Sequence, residues 1–159
     1  MKRYALIGAG AFLLAVIGKH FLLESSAPPA DTEALPQQQL TLQEPCDLRQ
    51  APCIASDASG RSIRFNIAPN TIPLMKDLLV TVETTGMSNI QAARVTVEGV
   101  NMYMGFQYAN LQPTGSDKLA GKLVLPVCSM EKMQWKANLE ISTDTVRLLA
   151  VFPFETMRE

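Results

Sequence analysis

The sequence predicts an all-β protein, an antiparallel immunoglobulin-like sandwich preceded by one N-terminal transmembrane helix. Three observations lead to this prediction. Short segments of alternating apolar and polar residues recur after residue 45, clusters of turn-forming residues separate them, and one long apolar segment stands at the N-terminus. Alternation with a period of two is typical of strands with one buried face, and regularly spaced short strands are typical of sandwiches.

The N-terminal segment, residues 1–23, is expected to anchor the chain in a membrane. Two basic residues precede an apolar run that is interrupted once, at Lys19 and His20. A helix of roughly 20 such residues crosses about 30 Å of hydrocarbon. The positive-inside rule keeps the N-terminus in the cytoplasm and sends the rest of the chain outward. A cleaved secretory signal is the alternative, but the small residues Ser25 to Ala27 are followed by two prolines, a poor context for cleavage.

Residues 24–44 are expected to form a flexible linker. This stretch is rich in proline, glutamine, serine and acidic residues and has no sustained apolar period. Proline-rich chain of this kind is partly extended and acts as a spacer. The folded domain is therefore expected over residues 45–159.

Seven or eight short strands are expected in that domain. The clearest alternation is in RSIRFNIA, LLVTVETTG and AARVTVEGV. Five further candidate strands are residues 50–56, 102–108, 119–125, 135–142 and 145–154. The last is partly apolar on both faces, as in a buried central strand, although Pro153 indicates that its pairing loosens near the end.

Composition and motifs argue against two classes of function. Lys and Arg total 14 against 15 Asp and Glu, so nucleic-acid binding is not expected. The one histidine is His20, at the predicted membrane edge, so the domain has no Ser-His or Cys-His pair, and it has no glycine-rich phosphate loop or Cys-x-x-Cys motif. We therefore do not expect an enzyme.

The three cysteines, Cys46, Cys53 and Cys128, lie in the part expected outside the cytoplasm. In an oxidising compartment two of them can pair, which leaves one over. Cys46 and Cys53 bracket a short segment containing Pro52, so we favour a disulfide between them. A Cys53–Cys128 pair, joining the first strand to the middle of the domain, is the alternative. In the favoured case Cys128 is free or bound to a metal. The alternative for Cys128 is that it only packs in the core as a small hydrophobic residue.

Sulfur-containing side chains recur in VEGVNMYMGF and CSMEKM. On a strand, residues two apart share a face, so Met102 and Met104 present their sulfurs to one side, and Cys128 and Met130 do the same if that segment is extended. Without histidine, thioether and thiolate ligands suit Cu(I). These four residues are the predicted metal site, and packing in an irregular core is the alternative for the methionines. Just beyond them, the indole of Trp135 is placed to shield a cation or pack on a thioether.

The segment from Leu78 to Ile141 resembles the YtkA/FixH-type periplasmic domains. The residues that carry the resemblance are LLVTVETTG, VTVEGVNMYMGF and AGKLVLPVCSMEKMQWKANLEI. The chain is also similar to membrane-anchored proteins of Gram-negative bacteria with the patterns Gly-x-Asn-Met-x-Met-Gly and Leu-Pro-x-Cys-Ser. The resemblance implies copper delivery or haem-copper oxidase assembly, with Met102, Met104, Cys128 and Met130 as the residues concerned.

The expected protein is thus a single-pass protein of the bacterial inner membrane with its C-terminal domain in the periplasm. We expect a non-enzymatic binding module that binds or delivers Cu(I) and meets a membrane protein or copper acceptor. The alternative function is a structural or assembly factor that binds another membrane protein without metal. Converging sulfur ligands would favour the first function, and a contiguous exposed apolar patch would favour the second.

Overall fold

The computed structural model describes residues 34–158, which form two β-sheets. The predicted anchor, residues 1–23, lies outside the described residues. Within the described part, no helix is long and apolar enough to cross a membrane. The strands are β1 (Gln37–Gln39), β2 (Thr41–Leu42), β3 (Cys53–Ser56), β4 (Ser62–Ala68), β5 (Leu78–Thr85), β6 (Ala92–Gly99), β7 (Phe106–Asn110), β8 (Gln112–Gly115), β9 (Lys118–Leu123), β10 (Lys132–Ser142) and β11 (Arg147–Met157).

The predicted all-β class is confirmed, and each of the eight predicted segments overlaps a strand. One sheet has the order β1-β11-β10-β6-β7 and the other β2-β3-β4-β5-β9-β8. Every second residue is buried along β4, β5, β6, β10 and β11. The two buried faces meet in one core, where the rings of Phe65 and Phe152 stack with centroids 4.4 Å apart.

Two short segments connect the sheets at their sides by changing partner. In the N-terminal segment, β1 pairs with β11 of one sheet and β2 pairs with β3 of the other. Leu40, between β1 and β2, is buried. The second pairs with β6 as β7 and then with β9 as β8, with Leu111 buried at the change. A Cβ at Gly121 would lie only 2.7 Å from the carbonyl oxygen of Asn110, so the crossing chain requires glycine there.

The predicted boundary between linker and domain at residue 44 is therefore too late. Residues 37–39 and 41–42, which the sequence pattern assigns to the linker, are strands in the structure. Their backbone is held by neighbours distant in sequence: the N–H of Leu40 donates to Leu149 and that of Gln43 donates to Ile54, both over 2.8 Å. Tertiary pairing overrides a local sequence with little strand character of its own.

The prediction that pairing loosens near Pro153 is correct for one side of β11 only. β10 and β11 stay in register from Ser142–Arg147 to Lys132–Met157, with Pro153 opposite Lys136. On its other side β11 pairs with β1 only as far as Leu149. Proline is tolerated where one side of a strand lacks a partner strand, so Pro153 lies in the unpaired part of this edge.

The hairpin between β3 and β4 is tied to β1 by a partly buried group of polar side chains, Asp57, Arg61 and Gln38. Arg61 and Asp57 approach to 2.7 Å, and Arg61 also donates to the side chain of Gln38. Burial raises the pKa of Asp57 and is the largest single influence on it, but the hydrogen bonds from Arg61 and Ser59 and the charge of Arg61 together outweigh burial and lower it. Asp57 is therefore a carboxylate at neutral pH.

The predicted disulfide is confirmed: Cys46 and Cys53 are bonded, with their Cα atoms 5.2 Å apart. The alternative Cys53–Cys128 pair is thereby excluded, and Cys128 is a free, buried thiol. The segment that the disulfide closes is anchored in the core by Leu48, which is almost fully buried.

The disulfide lies at one end of the two sheets, which we call the sulfur pole. We define it by four connecting segments together with the end of β11: residues 43–52, 69–77, 100–105 and 124–131. The chain joins the sheets at the opposite pole, where the N–H of Arg147 donates to the carbonyl of Pro36 over 2.9 Å.

Candidate functional site

Met102 and Met104 lie in the loop between β6 and β7, and not on a strand as the alternation suggested. The chain bends at residues 100–102, and β7 begins only at Phe106, after Gly105 with a φ of 70°. The face-sharing rule for strand residues two apart therefore does not apply to the two methionines. Their positions depend on what holds the loop.

Three hydrogen bonds hold this loop against the start of β10. The N–H of Val100 donates to the carbonyl of Gln134 over 2.8 Å. The Asn101 side chain accepts from the N–H of Gln134 over 2.9 Å and donates to the carbonyl of Lys132 over 3.1 Å. Because the Asn101 side chain makes two of these bonds, it fixes the loop against β10. Met102 is the next residue, so its backbone is held near the same point.

Gly99 lets Met102 lie close to the sheet. A Cβ at Gly99 would overlap both the carbonyl oxygen of Met102 and the terminal methyl of Met133. Met133 is almost fully buried. The backbone of Met102 thus rests on the end of β6, above the buried thioether of Met133.

Cys128 reaches the same place from the segment that crosses between the sheets, residues 124–131. Its side chain is 6% exposed, and its thiol donates to the sulfur of Met102 over 3.2 Å. The chain bends at Ser129 and Met130, so the extended geometry expected for Cys128 and Met130 is not found. As a result of the bend, the N–H of Met130 donates to the sulfur of Cys128 over 3.4 Å.

The four predicted ligands thus lie on two neighbouring loops, with one direct sulfur contact. Cys128 and Met102 form that contact. Met130 adjoins it through its backbone, with a side chain that is 37% exposed. Met104 is half-buried in the same loop as Met102, and its carbonyl accepts from the Gln107 side chain over 3.4 Å.

Trp135 is a core residue in the structure. It is almost fully buried, its ring stacks on Phe154 with centroids 6.4 Å apart, and its N–H donates to the hydroxyl of Thr156 over 2.9 Å. The indole is therefore part of the packed floor beneath the sulfur pole, as Met133 is.

The separation of the Cys128 and Met102 sulfurs can be compared with that of two sulfurs bound to one ion. Two sulfurs bound to one ion at about 2.3 Å, with a tetrahedral angle between them, lie about 3.8 Å apart. The observed 3.2 Å is about 0.6 Å shorter, a difference that rotation of the flexible methionine side chain removes. Among residues 34–158 no three His, Cys, Asp or Glu side chains form a group suited to a metal ion.

Charged residues surround the pole at its surface. The Lys132 ammonium lies 2.7 Å from Glu155, and the hydrogen bond between them is the main reason that the pKa of Glu155 is lowered, against the opposing effect of burial. Arg158 donates to the carbonyl of Ser129 over 3.2 Å. The ion pair and the arginine hold β10, β11 and the Cys128 segment together.

A row of exposed aromatic side chains, which sequence reasoning missed, begins beside the methionines. Tyr103 is 77% exposed, and its ring meets Phe106 edge-on with centroids 6.1 Å apart. Phe106 in turn lies 6.3 Å from Tyr108, whose other neighbour is the guanidinium of Arg94 at 5.0 Å. The available signal was the spacing of Phe106 and Tyr108, which are two residues apart, but the predicted strand began at Met102 and so put Tyr103 on the opposite face.

The fold and the site define the class of this protein as a two-sheet β-domain with a thiol–thioether pair at one pole. Comparison with models of known protein families, with curated proteins and with solved structures finds no match for the chain.

Proposed function

We propose that the protein is a membrane-anchored periplasmic binding module that binds and delivers Cu(I) through a methionine–cysteine site. The observation that carries the proposal is the 3.2 Å contact between the sulfurs of Cys128 and Met102. The two-sheet fold supports an immunoglobulin-like sandwich as the scaffold, and the proposed N-terminal helix would anchor the chain in the inner membrane. No catalytic step is proposed.

In this proposal Cys128 supplies the thiolate and Met102 a thioether. Binding releases the thiol proton, because the thiolate is the ligand. The N–H of Met130, already directed at the Cys128 sulfur, stabilises the charge that develops there. Met130 and Met104 follow on the same two loops as candidates for a third ligand, and the partial exposure of Met130 gives an acceptor access to the ion.

A second function is favoured by the aromatic row of Tyr103, Phe106 and Tyr108. Exposed aromatics with a neighbouring arginine are typical of protein-binding surfaces. In this alternative the domain is an assembly factor that binds another membrane protein, and the sulfurs only pack. The same aromatic row would also suit docking of a copper acceptor, so it does not distinguish the two functions. Whether the protein binds Cu(I) does.

The deciding experiment is a Cu(I) titration of the purified full-length protein against a competing chelator. We expect the wild type to take up about one ion, with sulfur neighbours at about 2.3 Å in X-ray absorption spectra. Cys128→Ser should abolish this tight uptake, which competes with the chelator, because it removes the thiolate ligand. Met102→Leu combined with Met104→Leu should weaken it at a stability cost below about 1.5 kcal/mol, because leucine nearly conserves the volume of methionine.

The matched control is Met87→Leu. Met87 follows β5 at the pole opposite the sulfurs and is half-buried. This substitution should leave Cu(I) affinity unchanged. If the wild type takes up no Cu(I), or if Cys128→Ser binds it as tightly as the wild type, the copper proposal fails and the assembly factor remains.

A further inference from the structure

The sulfur pole contains more thioethers than the Cys128–Met102 pair uses. Six of the seven methionines in the part of the chain that the structure describes lie at or next to this pole: Met75, Met102, Met104, Met130, Met133 and Met157. Met75 and Met157 are 82 residues apart in the sequence. The fold brings their segments together.

Met75 and Met157 line one surface cavity of about 180 Å³. Met75 belongs to segment 69–77 and Met157 ends β11. Their side chains are 63% and 49% exposed, so both contribute little to the core. Val127, the residue before Cys128, lines the same cavity. The cavity and the Cys128–Met102 pair therefore adjoin the same connecting segment.

The backbone that carries Met75 is strained. Met75 has a φ of 54°, and Ile72, in the same segment, has a φ of 48°. Positive φ is uncommon for residues other than glycine and is a true outlier for a β-branched residue such as isoleucine. Ile72 is buried, so its conformation serves the core. Met75 is exposed, and packing gives no reason to hold it this way. Such strain concentrates at functional sites.

The segment is nevertheless held firmly. The N–H of Met75 donates to the carbonyl of Leu125 over 2.9 Å, which ties it to the segment of Cys128. At the other side of the cavity, the N–H of Arg158 donates to the carbonyl of Glu131 over 2.8 Å, which fixes the end of β11 just after Met157. Both thioethers thus project from backbone attached to segment 124–131.

We propose that Met75 and Met157 form a second, outer thioether site that captures Cu(I) and passes it to the Cys128–Met102 pair. This inference rests on the proposed function for the identity of the ion. Thioethers are soft neutral donors that suit Cu(I), and the transfer is an exchange of ligands without change in oxidation state. Two neutral sulfurs bind the ion more weakly than a site with a thiolate, so the ion moves inward.

Arg158 is the one charged residue of this cavity, and its guanidinium is occupied by the carbonyl of Ser129. Its positive charge opposes cation binding, which keeps the outer site weak and the ion easily released. Arg158→Gln is therefore expected to tighten the outer site by a few fold.

The test uses Ag(I), a redox-stable soft monovalent cation, with the full-length protein labelled at the methionine methyl carbons. Each methionine methyl gives its own NMR signal. In the double variant Cys128→Ser with Met102→Leu, we expect the signals of Met75 and Met157 to shift together and saturate with one ion. Adding Met75→Leu and Met157→Leu should lower this residual affinity at least tenfold. The signals of Met87 and the buried Met133 are the controls.

The outcomes separate this inference from the proposed function. If the wild type binds Ag(I) at Cys128 but the Met75 and Met157 signals do not move in the double variant, the outer site is refuted and the proposed function stands. If those two signals move with different midpoints, the shared site is likewise refuted. If they shift together but Cys128 binds nothing, the proposed function fails, and the transfer with it. The inference as a whole requires binding at both sites.

Discussion

Gly99→Ala should destabilise the fold and disturb the sulfur site, because Gly99 ends β6 beneath the backbone of Met102. The added Cβ would overlap the carbonyl oxygen of Met102, which is backbone, and the methyl of Met133, which is buried. The loop cannot yield easily, since the hydrogen bonds of Val100 and Asn101 fix it to β10. We therefore expect the loop of Met102 to be pushed away from Cys128.

The size of the effect follows from two opposing contributions. Overpacking of a well-packed site costs up to about 3 kcal/mol. Replacing glycine in a strand recovers up to about 1 kcal/mol of conformational free energy. The net loss in the free energy of unfolding is about 2 kcal/mol, which lowers the Tm by about 8 °C for a domain of this size.

Urea and thermal unfolding measure this loss against two other glycines. At Gly115 a Cβ would meet only the Lys118 side chain at 3.8 Å, so Gly115→Ala should be neutral or slightly stabilising. At Gly121 a Cβ would lie 2.7 Å from the carbonyl oxygen of Asn110, so Gly121→Ala should destabilise without moving the methyl signal of Met102. The reasoning is refuted if Gly99→Ala is no less stable than Gly115→Ala, or if the Met102 signal is unchanged.

Three further predictions concern the scaffold. Reduction of the Cys46–Cys53 disulfide, whose cysteines are 7 residues apart, should lower the free energy of unfolding by about 2.4 kcal/mol from loop entropy, measured in urea with and without reductant; an unchanged midpoint would contradict it. Because the pKa of Asp57 is lowered in the folded protein, its carboxylate stabilises the fold above its ordinary pKa of 3.8, and this contribution is lost as the pH falls below that value. The stability difference between the wild type and Asp57→Asn should therefore shrink in acid, and a difference independent of pH would refute the assignment. Trp135→Phe leaves the buried hydroxyl of Thr156 without its donor at 2.9 Å and should cost at least about 1–3 kcal/mol. Adding Thr156→Val should recover part of this loss in the same unfolding assay, and strict additivity of the two changes would count against the bond.

The strands were predictable because their signal is local. Alternation in RSIRFNIA or AARVTVEGV depends only on neighbouring residues, and burial of one face follows directly from it. The same is true of the disulfide, since a short segment with a proline between Cys46 and Cys53 closes easily. For these features the chain carries the information within ten residues.

The two segments that change partner between the sheets, and the loops at the sulfur pole, were not predictable from local pattern. Polar residues 37–42 form strands only because β11 and β3 offer unpaired edges. Met102 and Met104 lie in a loop and not on the predicted strand, because the Asn101 side chain is hydrogen-bonded to the backbone of β10, some thirty residues further along the chain. Each of these outcomes depends on hydrogen-bond partners that local periodicity does not specify.

The sequence by itself determined the class of fold and the kinds of side chain available for a site, and it favoured the observed disulfide, because composition and short-range pattern carry that information. Only the tertiary structure decided which sulfurs meet. Cys128 contacts Met102 across two loops, and Met75 shares a cavity with Met157 at the end of the last strand. The physical reason is that a contact between distant segments depends on how the sheets close and where each loop is pinned.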